Sequence, residues 1–213
     1  AIGADSQTLS PGGLLSLALV HAHEGNVEAA VARLNEAKSR LDGGGADAAV
    51  GAQLVLAEGF VAGFLDQTLS AGIGASLETY LDTSPRDHQS RAQACILLSW
   101  DRFCRGDIAG AERFTEDAAA EYAETEGAYG NIFMHIHRVM AQFWRNDLDA
   151  ALAESALADK MTRMFFPEDQ RLRALTASLH ASIQFEVGRP EPLTNPTDLV
   201  GSVGALESWM DIQ

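Results

Sequence analysis

His135 and His137 form an HxH pair inside an otherwise apolar stretch, and His21 and His23 form a second. Two imidazoles so close in sequence raise the question of a metal. On a helix, side chains two positions apart diverge by about 160°, whereas helical metal pairs use spacings of three or four. Neither pair is therefore a ligand set, and no HExxH motif or cysteine cluster completes one. Both pairs are expected to be structural or solvent-facing, with no metal and no cofactor. Cys95 and Cys104 are the only cysteines, nine positions apart in one expected helix. That spacing is about 180° out of phase, so they cannot bridge each other without unwinding it. Without a disulfide framework or a CxxC, the expected compartment is a reducing cytoplasm.

Carboxylates are plentiful but not arranged for catalysis. Glu112, Glu116, Asp117, Glu121, Glu124 and Glu126 crowd one helix. A general acid–base pair needs two carboxylates in a shared, partly dry pocket, whereas a helix this acidic usually faces water. Arg171 and Arg173 could hold an anion, but surface pairing is the simpler expectation. Ser, Cys and His occur without a nucleophile elbow or a Cys/His signature. The chain is not expected to be an enzyme.

One helix, residues 129–145, carries a third kind of pattern. Ile132, Ile136, Val139 and Phe143 form an apolar core face. Asn131, His135, Arg138, Gln142 and Arg145 form a polar, solvated face. Tyr129, Phe133, His137, Met140 and Trp144 form a mixed stripe spaced four, four, three and four. Aromatic faces and Met give adaptable contacts, and one His adds a polar handle. In an array of helical pairs the first helix of each pair lines the inner surface. The mixed stripe is therefore the candidate ligand or partner groove, bordered by Trp100 and Glu186 from neighbouring pairs. The plainer alternative is that these residues only pack the next repeat.

The elements that position this stripe recur along the chain. Small turn pairs fall at Gly25-Asn26, Gly106-Asp107, Asn146-Asp147 and Gly188-Arg189, with a further turn expected near Asp66. The implied period is about 40 residues, longer than a plain tetratricopeptide repeat. Pairing puts 14–24 with 27–41, 47–65 with a short helix near 75–81, and 87–105 with 108–126. A fourth pair spans 129–165, and a fifth unit starts at Pro167-Glu168-Asp169 and ends its helix at Gly188. The second helices share a start: Asn26-Val27-Glu28-Ala29-Ala30, Asp107-Ile108-Ala109-Gly110-Ala111 and Asp147-Leu148-Asp149-Ala150-Ala151. Asn or Asp caps the free N–H groups, and the Ala at the fifth position lets two helices approach closely. The expected fold is an all-α, right-handed α-α superhelix of about five TPR-like helical pairs. It covers residues 1–188, with 189–213 an irregular tail broken by Pro190, Pro192 and Pro196 and allowing a short helix around 204–210.

Composition bounds the function classes. The 213 residues include 15 Lys and Arg against 30 Asp and Glu, a formal net charge of -15. Such a surface repels nucleic-acid phosphates and anionic membranes. No apolar run reaches the roughly 18 residues of a membrane helix. The chain opens on Ala1 rather than Met, as a segment of a longer protein would.

Three stretches carry a resemblance: Tyr129-Gly130-Asn131-Ile132-Phe133-Met134-His135-Ile136-His137, Asn146 to Ala151, and Met164-Phe165-Phe166-Pro167-Glu168-Asp169. Together they resemble the tetratricopeptide-like segment of large LuxR-type, MalT-like transcriptional regulators. The tail Ala205-Leu206-Glu207-Ser208-Trp209-Met210-Asp211-Ile212 is similar to a Trp-containing stretch that follows it. The resemblance implies a sensor and interaction arm between an ATP-binding module and a helix-turn-helix domain. Neither flanking module is legible here, since the sequence has no GxxxxGK[ST] loop and no basic recognition helix. It implies an unknown effector or protein partner, DNA contact only through another domain, no membrane, and self-association as one option. The alternative is a stand-alone protein–protein scaffold.

Overall fold

A computed structural model describes residues 9–23, 26–42, 48–66, 68–83, 87–125 and 127–189. Among these residues every regular element is a helix. In chain order they are α1 (Pro11–His23), α2 (Val27–Asp42), α3 (Ala48–Asp66), α4 (Ala71–Thr83), α5 (His88–Cys104), α6 (Ile108–Tyr122), α7 (Ala128–Trp144), α8 (Leu148–Phe165) and α9 (Gln170–Glu186). Each odd helix packs on the even helix that follows it, and α8 packs on α9. The first helices also touch in series, α1 on α3, α3 on α5 and α5 on α7. This is an array of helical pairs, four of them complete within the described residues, with α9 as the start of the next.

The shared start of the second helices does what its chemistry requires. The side chains of Asn26, Asp107 and Asp147 accept the backbone N–H of Ala29, Gly110 and Ala150 at 3.3, 2.9 and 3.2 Å. Each satisfies a donor that the first helical turn leaves open. The fifth-position alanines Ala30, Ala111 and Ala151 are buried, and so are Ala37, Ala118 and Ala158 two turns on. A seam of small residues lets the paired helices come close. Where hydroxyls enter the seam they bond to the backbone of their own helix: Thr115 to Ala111 O, Ser155 to Leu152 O and Thr162 to Ala158 O.

Three connections use one turn. Gly106, Asn146 and Gly188 adopt φ of 77°, 60° and 69°. In each, the next residue's N–H returns to a carbonyl at the end of the preceding helix: Asp107 to Arg102 O, Asp147 to Gln142 O, Arg189 to Gln184 O. Such left-handed residues close helix C-termini, and Gly or Asn fills them at least cost.

The second pair departs from the expected boundaries. Its second helix runs from Ala71 to Thr83 rather than near 75–81, with Ser70 Oγ accepting the Ile73 N–H at 3.3 Å. Gly72 and Gly74 are poor helix formers, and tertiary support overrides that preference. Asp101 accepts the Leu69 N–H at 2.8 Å, while Arg105 donates to the Leu69 carbonyl at 2.6 Å. The end of α5 thus clamps the entry to α4.

Two side chains of α7 also differ from their expected faces. Ile132, Ile136 and Val139 are fully buried, but Phe143 is 41% exposed. It sits in the last turn, where α7 runs out into the Asn146 connection. His135 was assigned to a solvated face and is instead buried, its Nδ1 2.5 Å from Glu154 Oε2 on α8. The expected tail helix around 204–210 lies outside the described residues. No described helix is long and apolar enough to cross a membrane.

Candidate functional site

The first helices of the four complete pairs enclose a groove of about 310 Å³. Leu15 and Leu19 of α1, Leu56 and Phe60 of α3, and Ile96 of α5 form its apolar walls. Tyr129 and Phe133 close it from α7, their rings 5.2 Å apart, with Phe166 edge-on to Tyr129 at 5.4 Å. Tyr122 is the contribution of a second helix, reaching in from α6 beside Gly130. Burial pushes the Tyr129 hydroxyl up to about 12, with Asp169 adding to the shift, and pushes Tyr122 higher still. Both phenols are neutral hydrogen-bonding groups at ordinary pH.

Among the described residues the polar lining is uncharged: Ser16, Gln53, Gln89, Ser90 and Gln93, with no Asp, Glu, Lys, Arg or His. The two serines already donate elsewhere, Ser16 to Gly12 O at 3.1 Å and Ser90 to Asp87 Oδ2 at 2.6 Å. The three glutamine carboxamides make no hydrogen bond among the described residues. Gln89 and Gln93 are one helical turn apart on α5, and Gln53 faces from α3.

The mixed stripe of α7 divides. Tyr129 and Phe133 line the groove. His137 and Met140 turn inward, 5% and 7% exposed. Met140 packs with Phe103, Ala111, Trp100 and Ile108. Trp144 is 54% exposed at the far end, edge-on to Phe103 at 5.9 Å. Trp100 stacks on Phe103 at 6.2 Å and tilts against His137 at 6.1 Å, and it is not among the lining residues. Glu186 is exposed at the end of α9 and is not among the lining residues. Two of the seven expected groove residues therefore meet in it.

His137 has a defined role in the interior. Thr115 donates to Ala111 O at 2.9 Å, so the Ser99 hydroxyl donates to Thr115 Oγ1 at 2.8 Å. Ser99 is then left to accept from His137 Nδ1–H at 3.0 Å. Donor counting thus assigns the proton to Nδ1. Burial lowers the His137 pKa to about 4, so the ring is neutral. Ser155 and His180 repeat the motif between α8 and α9 at 2.9 Å. The described residues hold no group of three His, Cys, Asp or Glu side chains that could bind a metal.

The acidic helix α6 is less wet than its composition implies. Glu121 takes His88 Nδ1 at 2.8 Å and Arg91 Nε at 2.6 Å, Glu116 takes Arg138, and Glu112 pairs with Arg145. These bridges tie α6 to α5 on one side and to α7 on the other. Arg173 donates to the Pro167 carbonyl at 3.1 Å.

No protein-family model, curated protein or solved structure matches the chain. The sequence reading missed the three glutamines and the walls from α1 and α3. A usable signal was present, since Gln53, Gln89 and Gln93 are uncharged polar residues on the first helices of two successive pairs.

Proposed function

We propose that this chain is the sensor and interaction arm of a LuxR-type transcriptional regulator, and that it binds its effector in the groove along the first helices. The observation that carries the reading is the groove itself: aromatic and aliphatic walls with a few convergent polar groups. Such a combination is the usual make-up of a ligand site. Four helices from four successive pairs meet in it, so an occupant bears on their relative placement. An effector can shift the array only by binding one arrangement more tightly than another. The regulator assignment rests on the sequence resemblance. Its test is the reading frame on both sides of the chain. A phosphate loop upstream and a helix-turn-helix downstream support it, and a frame that closes at both ends removes it.

A stand-alone protein–protein scaffold is the second reading. It draws on the large apolar side chains left exposed on α7, α8 and α9: Trp144, Met164 at 59%, Phe165 at 52% and Phe185 at 71%. Exposed apolar groups of this size suit a docking surface where they are contiguous. This reading expects a concentration-dependent mass in light scattering, lowered by Phe185→Ser, and no ligand-induced rise in Tm.

A further inference from the structure

We propose that the groove takes a small, uncharged, amide-bearing ligand of dipeptide size. The inference rests on the reading of the groove as a ligand site and assigns the chemistry of its occupant.

Charge is the first discriminator. The chain carries a formal net charge of -15, yet among the described residues no carboxylate, amine, guanidinium or imidazole lines the groove. A charged ligand group seated there would be desolvated without a counter-ion, which opposes binding. The buried part of the ligand is therefore neutral.

Hydrogen bonding is the second. The exposed Gln53 and the half-buried Gln89 and Gln93 line the groove, and their carboxamides make no hydrogen bond among the described residues. A carboxamide presents an N–H donor and a C=O acceptor side by side. The group that complements this edge is another amide, which offers the same pair reversed. With Gln89 and Gln93 a turn apart on α5, and Gln53 on α3, an amide-bearing core can be held from two helices. Tyr122 adds a fixed point at the floor. It is 2% exposed, it lines the groove, and its hydroxyl makes no hydrogen bond among the described residues.

Size and walls are the third. A cavity of about 310 Å³ lies at the small end of the range for small-molecule sites. A long polypeptide would leave most of its length outside. The walls of Leu15, Phe60, Ile96 and Phe133 match apolar substituents, whereas a polyhydroxylated ligand would bury hydroxyls against them without partners.

The test is titration calorimetry of the full chain with a panel of cyclic dipeptides of apolar residues, cyclo(leucyl-phenylalanine) first. The neutral fluorophore N-phenyl-1-naphthylamine serves as an independent reporter of the groove, checked by its loss in Phe133→Ala. A cyclic dipeptide is expected to bind and to displace the fluorophore. Its N,N′-dimethyl analogue and the Gln93→Leu variant are each expected to weaken binding about tenfold or more, with helicity unchanged by circular dichroism. Equal binding of the dimethylated compound, or by Gln93→Leu, overturns recognition through carboxamides. Tighter binding of an N-acetylated apolar pentapeptide amide than of any panel member overturns the small-ligand assignment in favour of a polypeptide segment. If the fluorophore binds but no panel member displaces it, the amide class is wrong and the groove stands. If the fluorophore does not bind either, the ligand-site reading falls with the proposal.

Discussion

Tyr122 of α6 fills the space that a side chain at position 130 of α7 would need. A Cβ placed on Gly130 would overlap Cζ, Cε1 and the hydroxyl oxygen of that ring. The ring is 2% exposed and forms the floor of the groove. Glycine at 130 is thus what allows α6 to deliver a phenol to a site otherwise built from first helices. Gly130→Ala gains helix propensity but forces a rigid ring off its place. We expect a net loss of about 1–3 kcal/mol in urea unfolding, together with weaker binding of a groove probe.

Gly74 is the contrasting case. It lies within α4, and a Cβ there meets nothing within 4 Å. Gly74→Ala should therefore show the propensity effect alone, a gain of about 0.5–1 kcal/mol. Thermal melts of the two variants run in parallel should move in opposite directions. A destabilised Gly74→Ala would mean that α4 has a neighbour on that face.

Asp101 holds α4 in place. It is 6% exposed and accepts from the Leu69 N–H at 2.8 Å and from Arg105 Nε at 2.9 and 3.0 Å. Asp101→Ala leaves a buried amide without a partner and a guanidinium without its anion. The expected cost is about 2–3 kcal/mol. Hydrogen exchange at the Leu69 amide should accelerate far more than at Ile132, which is remote from the clamp. Uniform acceleration would show that α4 does not open separately.

The two thiols should be inert in the folded chain. Burial raises Cys95 to about 12, with Asp117 and Glu121 adding to it, and raises Cys104 to about 11, with Asp101 adding to it. The thiolate is the reactive species, so iodoacetamide at pH 8 should modify neither at the rate of a free thiol. Peptide mass mapping should find Cys104, the less buried of the two, labelled first.

What was legible in the sequence was whatever repeats. The Asn/Asp caps, the fifth-position alanines and the turns at Gly106, Asn146 and Gly188 carry local chemistry, and each is found where that chemistry puts it, while the expected turn residue Gly25 lies outside the described residues. α1 begins at Pro11 rather than 14 and α6 ends at Tyr122 rather than 126, whereas the starts of the second helices fall as expected at Val27, Ile108 and Leu148, where the Asn or Asp cap is present. The start slipped at α4, where Ser70 replaces the Asn or Asp cap and the support comes from Asp101, which is 30 positions from Ala71. The groove was harder to read for the same reason. Helical spacing grouped Tyr129, Phe133, His137, Met140 and Trp144 on one stripe, but a stripe does not say which neighbour covers each turn. Ser99 and Phe103 of α5 cover the middle turns of α7, while its first turn is left open to the groove and its last turn to solvent. That division depends on how one pair sits against the next, which no single helix encodes.

His137 supplies the sharpest test of that packing. Its pKa is lowered by burial to about 4, against about 6.5 in an unfolded chain. Between those values the unfolded state binds the extra proton and the folded state does not. Stability is therefore complete above pH 6.5 and falls as pH drops toward 4, by about 3 kcal/mol in total. Glu121 acts lower down. Burial would raise its pKa, but hydrogen bonds from His88 and Arg91 outweigh it and hold the carboxylate below its usual range. Its contribution is lost only as pH falls through the carboxylate range, so the part of the slope between pH 6.5 and 5 that a substitution at position 137 removes belongs to that histidine. Urea unfolding across that interval should show the slope in the parent chain and a much shallower one in His137→Asn, whose amide nitrogen falls near the place of Nδ1 and can donate to Ser99. An unchanged slope would mean that His137 takes its proton in the folded state. Water would then reach the seam between α5 and α7, and the ring would again be available to the groove as the polar handle that its place on the stripe first suggested.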